Sequence, residues 1–271
     1  TEILLHPDRA VAGVRLADGR KLAAQQVVVA SDSSELYSHM LPASVVPPRI
    51  TRALAHSIDY PSSFSLFLGL DCSPETFGLG EEVLNLTRPG IPRADHSSGD
   101  PRRTLITVLA PSVRDPSLAP PGKGTVFIQC PARMQDHQRW HTGENLSRGP
   151  EYRAWKAEFA DILLDRIEAA VPGLRSHIEI REAATPVTYW RYTRNRDGRI
   201  SGARPLRRNI RSGVAHYQTA VPGLFLAGQS AEYGGGVPMA VRSGANAALL
   251  VLRRRRPEVF RELLHRLRNA T

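Results

Sequence analysis

Cysteine, aromatic residues and lysine are all scarce in this chain of 271 residues. The two cysteines, Cys72 and Cys130, are too few for a disulfide framework. Neither lies in a CxxC or beside histidines at ligand spacing, so no metal site is expected. They read as reduced, partly buried thiols, which suits a cytoplasmic location. Aromatics make up 6% of the residues, and no recognisable nucleic-acid module accompanies the basic ones, so no nucleic-acid partner is expected. No apolar run approaches the roughly 18 residues of a membrane span. The longest candidate, Ala245 to Leu252, is far shorter. The first residue is Thr1, and no charged-then-apolar leader follows it. The chain is therefore expected to be a processed product or one piece of a longer protein.

Arginine and glycine are what the sequence has in quantity. Net charge is +10, and nearly all of the 36 basic residues are arginine. Arg253-Arg254-Arg255-Arg256 opens a basic, amphipathic end with Arg261, Arg266 and Arg268. The plain reading is a solvated helix end, because cations are favoured near helix C-termini. The functional reading is peripheral contact with an anionic membrane surface. Hydrophobic residues, at 41%, are enough for a globular core.

Periodicity gives the elements. Ala10 to Leu16 alternates and ends at Asp18-Gly19, a hairpin turn. Val27-Val28-Val29-Ala30 is an apolar run expected to be a strand buried on both faces. Ser31 to Ser34 can cap a helix over Glu35 to Leu41. Ser62 to Leu70 alternates Phe64, Leu66, Leu68 and Leu70 on one face, as a strand does. Shorter strands are expected near Glu82 to Leu86, Leu105 to Ala110 and Thr125 to Cys130, with a long turn at Pro111 to Lys123. Pro150 to Ala170 carries Trp155, Phe159, Ile162, Leu163 and Ile167 at helical spacing, a core-packing stripe. Tyr189, Trp190 and Tyr192 follow a strand at His177 to Arg181; they read as a packed aromatic strand or as the lining of an apolar tunnel. Pro238 to Leu252 is apolar nearly all round and is expected to be a buried helix. Pro257 starts the last helix.

The most informative stretch is Gly223 to Ser230 followed by Gly234-Gly235-Gly236-Val237-Pro238-Met239. A short apolar strand ends in glycine, and a glycine-rich loop leads into a helix. Such a stretch lets backbone approach a ligand closely and points a helix N-terminus at it. Alone, a triple glycine is weak evidence, being common in turns.

The run Val221-Pro222-Gly223 through Gly228, then GGGVP and Ser243-Gly244, resembles the C-terminal flavin signature of the phytoene desaturase-like flavoproteins. These include carotenoid desaturases, carotenoid isomerases and retinol saturases. Gly13 to Gly19, Val27 to Ser31, Ser62 to Leu70, and Thr185-Pro186 with Arg191-Tyr192-Thr193, Gly198 and Ser201-Gly202 are similar to further family segments, in the same order. The resemblance implies FAD. It places Gly228 and Gln229 near the ribityl and pyrophosphate region, Gly236, Val237, Pro238 and Met239 near the flavin ring, and Ala30 and Ser31 beside the cofactor on the returning strand. Gln229 stands where the family usually has an acid. The family's opening GxGxxG is absent; Gly78-Leu79-Gly80 lacks the third glycine and the strand-to-helix setting.

The expected fold is therefore mixed α/β. A partial FAD-binding, Rossmann-like layer comes from residues 1–42 and 221–271, and a mixed-sheet substrate domain, 43–220, is inserted between them. The expected function is that of the C-terminal part or subunit of an FAD-dependent oxidoreductase. Hydride would pass between flavin and an apolar polyene or isoprenoid-like substrate, in desaturation, saturation or isomerisation. A partner chain or segment carrying GxGxxG is expected. Alternatives are a non-catalytic scaffold half and a flavin-dependent amine or tailoring oxidase. No side chain is assigned as catalytic, because hydride transfer needs positioning more than an acid–base pair.

Overall fold

The computed structural model describes residues 1–135, 140–143 and 145–269. In chain order the elements are β1 (Glu2–Leu5), β2 (Val11–Arg15), β3 (Lys21–Ala23), β4 (Val27–Val29), α1 (Ser33–Glu35), α2 (Pro48–Ala55), β5 (Ser62–Leu70), β6 (Leu84–Leu86), β7 (Ile106–Leu109), α3 (Pro111–Arg114), β8 (Gly124–Ala132), α4 (Pro150–Glu168), β9 (Ile178–Ala184), α5 (Pro186–Thr193), α6 (Arg207–Ser212), β10 (Leu224–Leu226), α7 (Val237–Arg255) and α8 (Pro257–Asn269). They form two compact units. One holds Thr1–Tyr60, Thr193–Arg196 and Ile200–Thr271; the other holds Pro61–Tyr192 and Asp197–Arg199.

In the first unit, β1, β2 and β3 make an antiparallel sheet. The turn at Asp18-Gly19 is closed by the Gly19 N–H donating to Leu16 O at 3.0 Å. β10 and β4 pair in parallel, Leu224 to Val27 through Leu226 to Val29. The two ends of the chain thus meet in one layer, as the apolar runs predict. The core gathers Ile3, Val11, Leu36, Leu54, Leu224 and Leu226. Asp32 caps α1 by accepting from the Ser34 N–H at 2.7 Å.

Three expectations fail here. Val28 is 46% exposed, so β4 is buried on one face only; a two-strand pair leaves the other side of that valine open. α7 buries only Ser243 and Ala247, while Val237 and Val241 are 76% and 66% exposed. The helix packs along one side, against the turn at Gly228–Ser230 and against α8, and its other apolar side is exposed among the described residues. Finally, residues 43–60 and 200–220 belong to this unit rather than to the insertion, because Ala53, Leu54, Ala203 and Val214 pack into its core.

The second unit is built on a five-stranded antiparallel sheet in the order β6-β7-β8-β5-β9. Phe64, Leu66, Leu68 and Leu70 are all buried on the face covered by α4. Phe159 of α4 stacks on Phe64 with centroids 4.3 Å apart, and Trp155 meets Phe159 edge-on at 5.7 Å. Offset and edge contacts are the preferred aromatic geometries. The opposite face carries an apolar row: Leu109 lies across from Phe127, and Phe127 across from Phe67. Phe67 is 47% exposed and Ile180, on β9, is 60% exposed.

The aromatic segment after β9 is helix α5, not a strand. Thr185 and Thr188 cap it reciprocally: the Thr188 N–H donates to Thr185 Oγ1 at 3.3 Å, and the Thr185 N–H to Thr188 Oγ1 at 3.1 Å. Pro186 suits its first turn. The Pro111 to Lys123 connector also holds the short helix α3.

Candidate functional site

The parallel pair sets the frame of the site. Beyond β10 the Ala227 N–H still donates to Val29 O at 2.9 Å, so the two strands end side by side. Their carboxyl ends carry Ala30-Ser31 and Gly228-Gln229. Ligands in open α/β sheets bind across such ends. Gly228 has φ +73°, and a Cβ on it would lie 3.1 Å from Ala30 O. The glycine therefore lets the turn after β10 sit against the β4 end.

That turn is pinned from two directions, and the segment after β4 is held separately. The Ser33 N–H donates to Ser230 Oγ at 3.1 Å. Ser243 of α7, fully buried, shares its one hydroxyl proton between Gly228 O at 3.0 Å and Ala240 O at 2.8 Å. Asp32, also fully buried, accepts from the Arg196 N–H at 2.9 Å as well as capping α1. Asp32 appears in the sequence only as a helix cap; its second partner is 164 residues away and has no local signal.

The glycine loop leads into α7. Gly236 is its N-cap, with φ 88° and ψ 168°, and no side chain caps the helix. Val237 and Pro238 are exposed and Met239 is half-buried. The first-turn amides and the positive end of α7 thus stay available to an electron-rich group. Nearby, Glu232 is buried and held by three partners. It pairs with Arg242 at 3.0 Å, accepts from Tyr217 Oη, and accepts from the Tyr233 N–H at 3.2 Å. Burial pushes the Glu232 carboxyl up, but the Tyr217 and Arg242 hydrogen bonds outweigh it and hold it below the usual range. Sequence reading did not single out Glu232.

Two serine hydroxyls after β4, Ser31 Oγ and Ser34 Oγ, are buried without a hydrogen bond among the described residues. Ser31 Oγ lies at the open end of β4. A buried hydroxyl without a partner carries a real energetic cost unless a ligand satisfies it. Ser31, the Gln229 amide and free backbone N–H groups can together meet a ribityl and phosphate chain, which offers both donors and acceptors. The residues present therefore fit a flavin cofactor chemically, although Gln229 brings no charge.

The eight sequence-predicted residues fall into two groups. Ala30, Ser31, Gly228 and Gln229 come together at the strand ends. Gly236, Val237, Pro238 and Met239 open α7. In the second unit, Tyr189 turns its hydroxyl onto Ser65 at 2.7 Å, Trp190 packs against the core, and Tyr192 is 77% exposed. The sequence pointed to no metal site, yet Asp71, Cys72 and His177 bring ligand atoms within 4.8 Å of one another.

No helix among the described residues is long and apolar enough to cross a membrane. Comparison with known proteins identifies the fold's relatives. A zebrafish (Danio rerio) all-trans-retinol 13,14-reductase is 26% identical over 84% of this chain and 40% of its own length. A chloroplastic prolycopene isomerase of Arabidopsis thaliana is 28% identical over 91% of this chain and 39% of its own. The chain thus spans about two-fifths of these relatives. An oxidoreductase from Methanosarcina mazei superposes with a TM-score of 0.56 at 18% identity, over 92% of this chain and 47% of that one, which supports the mixed α/β, Rossmann-like fold. The profile of the flavin-containing amine oxidoreductases matches residues 1–252. This chain belongs to that family, whose cofactor is FAD and whose chemistry is oxidoreduction.

Proposed function

We propose that this chain is the flavin-ring part of an FAD-dependent oxidoreductase acting on an apolar, polyene or isoprenoid-like substrate. The observation that carries the reading is the convergence of Ala30, Ser31, Gly228 and Gln229 at the paired strand ends, with Ser31 Oγ buried and unpartnered. The bound cofactor would supply two-electron hydride chemistry. Ser31 and Gln229 would hydrogen-bond its polar chain. The backbone after Gly236 and the start of α7 would face its electron-rich ring edge. Glu232, kept ionised by Arg242 and Tyr217, would hold the loop before α7 in place.

The substrate class rests on a different feature. Leu109, Phe127 and Phe67 form an apolar row across three strands of the second unit, with Ile180 exposed on β9. Phe67 and Ile180 are exposed and Leu109 and Phe127 half-buried, a face that suits contact with an apolar molecule. The retinoid and carotenoid names of the relatives agree with such a surface. Desaturation, saturation and isomerisation all remain consistent with it, as does a flavin-dependent amine or tailoring oxidation.

The chain contains no GxGxxG. We infer that the pyrophosphate-holding unit is supplied by a further segment or a partner chain, and that the open side of α7 and Val28 packs against it. The test is reconstitution. The chain is combined with a polypeptide carrying a strand–GxGxxG–helix unit, and bound flavin is read from the visible spectrum. Stoichiometric flavin that is reduced by a polyene or amine donor supports the reading. No flavin in the assembled complex would sink it; flavin that is bound but never reduced would favour the scaffold alternative.

A second reading concerns α8. The exposed Arg253 to Arg256 run, with Val259 and Leu267 exposed on the following helix, suits peripheral binding to an anionic membrane from the cytoplasmic side. Co-sedimentation with anionic but not neutral vesicles is the expected result.

A further inference from the structure

We infer that Asp71, Cys72 and His177 form a binding site for a thiophilic divalent cation, with Zn2+ the best match. The site lies wholly within the second unit and is independent of the flavin reading.

Its geometry follows from strand register. β5 and β9 run antiparallel, with Leu70 opposite Ile178. One further ladder bond, Asp71 N–H to His177 O at 3.1 Å, carries the pairing past the strand ends. Residues 106 positions apart are thereby fixed opposite each other. The carboxylate, the thiol and the imidazole all fall within 4.8 Å of one another. His177 Nδ1 and Asp71 Oδ1 are 2.7 Å apart. The His177 ring is further held against Phe77, centroids 5.4 Å apart. The backbone therefore positions all three groups before any ion arrives.

The donor set decides the ion. One sulfur, one imidazole nitrogen and one carboxylate oxygen is a three-ligand set that leaves a fourth tetrahedral position open. Hard cations such as Ca2+ and Mg2+ prefer all-oxygen sites, so they are poor candidates. Two ligands on tetrahedral zinc with bonds near 2.0 Å stand about 3.3 Å apart. The His177–Asp71 hydrogen bond is shorter than that. Binding would therefore replace that bond: the ion takes Nδ1, the imidazole proton moves to Nε2, and the two side chains separate slightly, so the only proton released is the one from the Cys72 thiol. The thiol must lose that proton to bind. Burial and the neighbouring Asp71 carboxylate keep that proton on the thiol in the free protein. A dication would reverse that preference, since a coordinating thiol is deprotonated outright. Lys123 is the nearby opposing charge, but its ammonium is paired with Glu179.

The test uses the full chain, stripped with a chelator and titrated with Co2+ as a spectroscopic probe and Zn2+ by calorimetry. We expect one equivalent of each, a thiolate-to-cobalt charge-transfer band, release of about one proton on binding near neutral pH, and a raised thermal midpoint with Zn2+. Cys72→Ser should abolish the band. His177→Gln should weaken Zn2+ by more than about tenfold, since even outer-shell partners cost that much. Circular dichroism of the metal-free variants checks that they fold. Failure of the folded wild-type chain to bind Zn2+ at micromolar concentration would overturn the proposal. So would retention of wild-type Zn2+ affinity in Cys72→Ser, which would mark surface carboxylates as the binders.

Discussion

Replacing Gly202 by alanine tests the packing of the candidate flavin site most directly. A Cβ on Gly202 would lie 2.1 Å from Gln229 O and 3.0 Å from Gln229 C. Both are backbone atoms, so no side chain can swing away. The Gln229 carbonyl belongs to the turn at Gly228–Ser230, which Ser243 and Ser230 tie to α7 and to Ser33. On the other side, Gly202 O accepts from the Tyr60 N–H at 3.2 Å. One of these contacts must give. Overpacking of this kind costs about 1–3 kcal/mol. All three tryptophans, Trp140, Trp155 and Trp190, lie in the second unit, so fluorescence would not see the loss. Native-state hydrogen exchange at Leu226 and Ala227 would, because their amides close the β10 ladder. Protection there should fall by roughly five- to 150-fold, at about 1.4 kcal/mol per factor of ten. Gly244→Ala is the control. It lies in the interior of α7 with no atom within 4 Å of its added Cβ. Removing a helix-interior glycine should stabilise by about 0.5–1 kcal/mol. Protection in Gly202→Ala within twofold of wild type would refute the account of how this turn is held.

Three other predictions follow from specific contacts. Phe159→Ala removes the ring that stacks on Phe64 and meets Trp155, and should destabilise the second unit by about 3–5 kcal/mol, read from tryptophan fluorescence in urea. Ser243→Ala strips the hydroxyl donor from Gly228 O and should cost about 1–3 kcal/mol, with a matching drop in β10 protection. His216 donates Nδ1–H to Gly213 O at 3.2 Å, so its Nε2 accepts from Tyr37 Oη at 2.8 Å. Burial, aided by Arg49, holds its folded pKa below the ordinary value. A depressed folded pKa means the unfolded chain takes up the proton first, so this contribution is present above about pH 6.5 and fades as pH falls toward the folded value. His216→Gln should flatten the pH dependence of the thermal midpoint between about pH 7.5 and 5.5; an unchanged slope would assign the acid sensitivity elsewhere.

Much of the fold was written locally. Alternation at Phe64, Leu66, Leu68 and Leu70 announced β5, and the spacing of Phe159, Leu163 and Ile167 announced α4, because each pattern has one face to bury. The glycine at 228 and the apolar triplets at Val27 and Leu224 located the strand ends of the site. What stayed hidden depends on distant partners. Asp32 meets Arg196, and Asp71 meets His177, only through tertiary register. The aromatics of α5 suit a strand as well as a helix, whereas Thr185-Pro186 and Thr188 carry a local capping signal for the helix. For α7, apolar composition reports that a helix has something to bury, not that its own chain buries it.

That last distinction has a practical side. Val237, Val241, Ala245 and Ala248 stand exposed, each about one turn from the next, on a helix whose opposite side is packed. Such a stripe makes handling conditions part of the chemistry. At low concentration water must hydrate it; at high concentration another copy, a chaperone or a detergent tail can occupy it instead. Measurements on this chain then depend on everything else in the tube that is greasy enough to lie along that face of α7.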